Sequence, residues 1–220
     1  ALLAALIGAF MAYSVRLSAA KMIRAVTWLA SIGYAVPGAV LAIGIVIPLG
    51  AFDNALDSFS QTLVGIPTGL LLSGTIFGLI YGYLARFLAL SYGTMESSLG
   101  KITPNMDGAA RTLGHGPAQT LRRVHLPLMQ GGLLTAALLV FVDCMKELPL
   151  TLILRPFSYD TLATFVYQYA SDELLEESAL GALSIVAAGI LPVILLSISV
   201  IRSRPGQAVR KSNPAKETQL

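Results

Sequence analysis

Cysteine is nearly absent. Cys144 stands alone in 220 residues, so neither an internal disulfide nor a cysteine metal cage is available. The lone thiol reads as a small buried residue. Charge is scarce too: Asp, Glu, Lys and Arg make up 12% of the chain, against 55% apolar residues. With a strongly positive mean hydropathy, that balance excludes an ordinary soluble domain and a disordered chain. The net charge of +3 is no sign of a nucleic-acid partner, because the cations sit mostly between apolar blocks. A phosphate-binding loop is missing: Gly100-Lys101 is followed by Ile102, and Met95 occupies the first glycine position. Paired carboxylates, a Ser/His pair or a metal triad within the apolar blocks are missing as well, and Asp143 alone makes no catalytic site. His115 and His125 lie ten residues apart with no Cys or Glu pair beside them, and read as surface histidines. The chain is therefore not expected to be an enzyme or to bind a cofactor of its own. There is no signal-peptide pattern; the chain starts inside an apolar run and reads as a piece of a longer protein.

What is present is a series of apolar blocks. A membrane span needs about 20 residues. Residues 1–15 form a short, uncharged block, expected to be a truncated span. A cationic turn with Arg16, Lys21 and Arg24 follows. Residues 25–50 are the second block, bent by Pro37-Gly38 and Pro48. Residues 51–61 read as a polar connection bearing Asp53 and Asp57. Residues 62–85 are the third block. In it Gly74, Gly78 and Gly82 recur every four residues, with Gly65 and Gly69 before them. Such a smooth face packs closely, either on a second membrane subunit or on helices of the same chain. Arg86 closes this block, where its head would reach the interface. Residues 128–142 open the fourth block, which runs on into Asp143, Lys146 and Glu147. Asp143 and Lys146 are spaced to pair on a helix. These charges read either as a gate or pathway lining or as the place where the helix leaves the membrane. Residues 149–179 read as a longer extramembrane stretch, with Leu162, Phe165, Val166 and Tyr169 at helical spacing along the interface. Residues 180–201 are the fifth block, and 202–220 a basic tail. The expected fold is an all-α membrane helical bundle of about five spans over residues 1–201.

Orientation follows from the cations. Connections around residues 16–24, 101–123 and 202–216 hold twelve of the fifteen Lys and Arg. The positive-inside rule places them in the cytoplasm, and five spans then alternate without conflict.

Residues 107–127 read D-G-A-A-R-T-L-G-H-G-P-A-Q-T-L-R-R-V-H-L-P. Thr103 suits an N-cap, Pro104 the first helical position, and Asp107 the positive end of the dipole. Gly114 supplies a left-handed stop. Gly116-Pro117 restarts a helix to about His125, and Pro127 marks the next boundary. Ala109, Ala110 and Leu113 share one face, suited to a groove on a partner.

The order Ala109-Ala110, three residues, Gly114, nine residues, Val124, one residue, Leu126-Pro127 resembles the cytoplasmic loop of ABC importer permeases, E-A-A-x3-G-x9-I-x-L-P. The family's Glu position is Gly108 here, and Asp107 carries a charge one residue earlier. The resemblance implies a type I permease fold in a bacterial inner membrane. It also implies a coupling loop over about 101–127 that docks on a separate ATP-binding cassette subunit, with ATP bound there. The loop residues carried over are Asp107, Ala109, Ala110, Leu113, Gly114, Val124, Leu126 and Pro127. A periplasmic binding protein and a second permease repeat or subunit are further implied partners. Membrane lipid is the surrounding one.

Residues 31–44 and 146–157 resemble the ferric-iron branch, as do Asp160-Thr161-Leu162-Ala163 and the run from Tyr167. In that branch two repeats are commonly fused, and this chain resembles the second. The branch also includes permeases for thiamine, phosphonates or polyamines. Ferric ion prefers hard oxygen ligands, which Tyr34, Asp143 and Glu147 offer; with Lys146 they are the candidate pathway or gate residues. No metal ligand set is assigned. The rival class is a channel or membrane scaffold without ATP partners.

Overall fold

The computed structural model describes residues 1–18 and 20–202, and every regular element among them is helical. The basic-tail reading lies outside the described residues beyond Arg202. Four segments are long and apolar enough to cross a membrane: α3 (Gly38–Val64), α4 (Ile76–Gly100), the run Ala118–Met145 containing α7 (Leu126–Met145), and α10 (Leu175–Arg202). Helix α1 (Leu2–Leu17) is apolar but shorter.

Several block boundaries differ from the sequence reading. Residues 25–50 do not form one helix. Helix α2 (Lys21–Ala30) ends early, a tight turn covers Ile32–Tyr34, and α3 begins after Pro37. Pro37 has no N–H and biases its predecessor away from the helix, so the break falls there. Pro48 is held inside α3 without ending it. Residues 51–61 are consequently no connection but the second half of α3. Asp53 accepts from the backbone N–H of Leu72 and Ser73, and Asp57 from those of Thr68 and Gly69. The carboxylates thus tie the loop after α3 back onto it.

That loop takes the start of the expected third span. Gly65, Gly69 and Gly74 all have positive φ, between 64° and 72°, so these glycines make turns rather than a helix face. Gly82 does lie on a helix face, and a Cβ there would press on Leu150 and Leu154 of the same chain. Arg86 is not at a span end but well inside α4.

Helices α3 and α4 run antiparallel, with Asp53 beside Leu72 at one end and Gly38 beside Arg86 further along. Helix α8 (Pro149–Leu154) belongs to the helical core rather than to a free loop: Leu150 and Leu154 are buried with Ala42, Ile45 and Leu79. Helix α9 (Leu162–Ser171) is closed at its start by a reciprocal Thr161/Thr164 capping box and packs on α10. A second core lies between α1, α4 and α7, with Ala5, Ala12, Met95, Leu99, Met129 and Ala136, and a smaller one joins Ala4, Phe87 and Val140.

Candidate functional site: a charged loop and a polar belt

Between α4 and α7 lies α5 (Pro104–Thr112), with Thr103 at its N-cap position and Pro104 in its first turn. It closes at Gly114, whose φ is +78°. A short α6 (Pro117–Thr120) follows, then a wide π-type turn at Leu121–His125, then α7. Pro127 stands in the first turn of α7, at the expected change of element, and the helical run is continuous across it. The wide turn absorbs the ring and the missing donor, and helix continues through it.

The loop residues divide by face. Ala110 is buried and Asp107 points inward, whereas Ala109 is exposed and Leu113 is 75% exposed. The expected common face of Ala109, Ala110 and Leu113 is split, because α5 lies on the bundle through its Ala110 side. Val124 is half-buried in the π-type turn, and Leu126 is exposed at the start of α7.

Asp107 is held by two elements distant in sequence. Arg16 Nη2 donates to its Oδ2 at 2.8 Å, and Arg16 Nε to the same oxygen at 3.2 Å. His125 Nε2 donates to Oδ1 at 2.6 Å. Arg16 also donates to the carbonyls of Leu99 and Ile102, so it grips the end of α4 as well. The Tyr13 ring meets the buried His125 edge-on, with centroids 5.5 Å apart. Partial burial raises the Asp107 carboxyl, but the Arg16 and His125 bonds outweigh it and hold it below the usual carboxylate value. His125 is thus not a surface histidine. Beside the clamp is a cleft of about 90 Å³, lined by Tyr13, Arg16, Asp107, Arg111, His115 and Thr120.

The other candidates gather in a belt far from the loop. Tyr34 donates to Asp143 Oδ2 at 3.2 Å, and Lys146 pairs with Asp143 Oδ1 at 2.8 Å. Next to them Arg86 Nε donates to Glu147 Oε2 at 2.9 Å and Arg86 Nη1 to the Val36 carbonyl at 2.7 Å. Glu147 Oε1 accepts from the Leu150 N–H at 3.3 Å. Tyr83 and Thr151 hydroxyls share a 2.7 Å bond nearby. Sequence reasoning missed Arg16, His125, Arg86 and Gly38. Their contacts join residues 18 to 91 positions apart or need one small residue, and no local signal reports either. Among the described residues no group of three or more His, Cys, Asp and Glu is arranged to hold a metal.

Apolar spans joined by a charged loop, with a polar belt between them, are the build of a multi-pass membrane protein. Residues 4–204 match the family described as binding-protein-dependent transport system inner membrane component, and the chain belongs to that family. It is 29% identical over 163 residues to the Fe(3+)-transport system permease protein FbpB 2 of Haemophilus influenzae, covering 74% of this chain and 29% of that protein. It is 25% identical over 183 residues to the putative 2-aminoethylphosphonate transport system permease protein PhnV of Salmonella typhimurium, covering 82% of this chain and 62% of that one. The chain thus spans less than two thirds of these relatives. In fold it is similar to a chain of the inward-facing MetNI methionine ABC transporter, with a TM-score of 0.57, 16% identity and coverage of 90% and 91%.

Proposed function

We propose that this chain is a permease unit of a binding-protein-dependent ABC importer, moving cargo inward by alternating access. The observation that carries this is α5. It stands between two spans, ends at a left-handed glycine, and presents Ala109 and the bare Leu113 outward. An apolar knob on a short helix fits a groove on a separate ATPase subunit. ATP binds and is hydrolysed on that subunit, and this chain needs no cofactor of its own. The loop and basic tail then face the cytoplasm, and the Asp53/Asp57-tied loop faces a periplasmic binding protein. A second permease repeat or subunit completes the pathway.

Ferric iron is the cargo favoured by the resemblance of residues 31–44 and 146–157 and by the likeness to FbpB 2. The comparable likeness to PhnV, over more of this chain, supports aminoethylphosphonate as the second reading. The test is isolation of the assembly from its own cells through a tag on this chain. An ATPase subunit should co-purify, and Leu113→Glu should release it while the permease still accumulates. Retention of the ATPase by Leu113→Glu removes α5 as the docking element. Uptake of ferric iron and of aminoethylphosphonate in cells lacking this chain then separates the cargo readings.

A further inference from the structure

The depth of the polar belt follows from its neighbours. Arg16 anchors the end of α4 through the carbonyls of Leu99 and Ile102. Thirteen residues of α4 separate Leu99 from Arg86, about 20 Å at roughly 1.5 Å per residue. Going the other way, fifteen residues of α3 separate Gly38, beside Arg86, from Asp53, its first charge, about 22 Å on the same rise. Together these distances match a bilayer with its headgroup regions, about 40–45 Å. The belt therefore lies near the midplane.

At that depth Lys146 is 64% exposed, while Asp143 beside it is 15% exposed. A bare ammonium against hydrocarbon is costly, so such a group faces a water-filled space. The carboxylates there are already engaged. Both Asp143 oxygens are taken by Tyr34 and Lys146, and both Glu147 oxygens by Arg86 and the Leu150 N–H. The ammonium is the more exposed partner of this pair, and of its three donors one serves Asp143 while the others are open to the exposed side. We propose that Lys146, braced by Asp143 and Tyr34, is a binding group on the wall of the translocation pathway and receives an anionic, oxygen-bearing cargo. This rests on the permease reading above. A phosphonate meets that requirement directly, and ferric ion meets it only inside an anionic shell of oxygen ligands.

The test needs no cargo. In the assembled transporter with Cys144→Ser, a single cysteine at Val142, one turn from Lys146, is exposed to small anionic and cationic methanethiosulfonates. The cysteine at Val142 should react, and a lipid-side control at Leu183 should not. With Lys146 present the anionic reagent should gain on the cationic one. Lys146→Gln should lower that ratio roughly threefold or more, and Lys146→Arg should keep it. A cysteine placed directly at Lys146 should also react, which guards against loss of the first variant. Failure of both positions to react while an exposed loop cysteine does so overturns the aqueous wall. Reaction with a ratio unchanged by Lys146→Gln overturns the anion preference. Neither outcome depends on ATPase binding, so it stands or falls separately from α5 docking.

Discussion

Arg86 and Glu147, 61 positions apart, form a 2.9 Å ion pair inside the bundle. The pair ties α4 to the start of α8 and, through the Val36 carbonyl, to the entry of α3. Removing one partner strands a buried charge, which costs about 3–5 kcal/mol. Glu147→Gln and Arg86→Met should each lower the melting temperature of the detergent-purified protein. Exchanging the two charges should recover only part of the loss, since the Val36 and Leu150 backbone bonds are not remade. Full stability in Arg86→Met would show the pair to be incidental.

Gly38 sits against this pair. A Cβ there would lie 2.5 Å from Glu147 Oε1 and 3.4 Å from the Leu150 nitrogen. Gly38→Ala should therefore destabilise by about 1–3 kcal/mol, the usual cost of overpacking. Gly44→Ala, in the same helix with open space around it, should not. Thermal unfolding of the two variants side by side checks the difference.

Gly114 has φ of +78° and open space around it, so strain alone governs its replacement. Gly114→Val should accumulate normally yet lose transport and stimulated ATPase activity in reconstituted vesicles. Gly114→Asn should be milder, because asparagine tolerates that region. Coupled activity equal to the parent in Gly114→Val would remove this glycine from coupling.

Asp107 titrates below its usual value, so the clamp has a defined pH dependence. A depressed folded value means that the carboxylate contributes stability above the ordinary carboxylate range. That contribution is lost as pH falls through the ordinary value toward the lowered one. A cysteine at Thr112 should thus become more reactive, rate-corrected for thiol ionisation, only under clearly acidic conditions. Asp107→Asn should show the higher reactivity at neutral pH and no such transition.

The boundaries of α5 were legible because Thr103, Pro104 and Gly114 act locally. The α2/α3 break was hidden, since residues 25–50 stay apolar on both sides of Pro37 and hydropathy does not see a turn. Asp53 and Asp57 looked like solvent-facing connection residues, yet their oxygens serve loop amides across 11 to 20 positions. The glycine spacing misled for a related reason: the same interval suits a packed helix face and a chain of turns, and positive φ at Gly74 selects the turn. Lys146 was placed correctly beside Asp143 by helix spacing alone, whereas Arg86 as the neighbour of Glu147 required the fold.

The topology of the cationic connections gives one more outcome. Single cysteines at Ser58 and Glu173, in the Cys144→Ser background, should react with an impermeant reagent added outside intact cells, and one at Thr112 should not. Reversed labelling inverts the molecule in the membrane.

Because helix persists through Pro127, residues 118–145 form one rod of 28 residues, about 42 Å long at roughly 1.5 Å per residue. One end adjoins the α5 loop and the other leads into Lys146. Pivoted at the π-type turn, the 20 residues of α7 would form a lever about 30 Å long, whose far end moves by roughly 3 Å for a tilt of about 5°. The π-type turn at Leu121–His125 lies near the α5 end of this rod, and its His125 is bonded to Asp107 of α5. Under the proposed docking role, a stiff turn would carry a push on α5 to the Lys146 end, and a slack one would dissipate it within the loop.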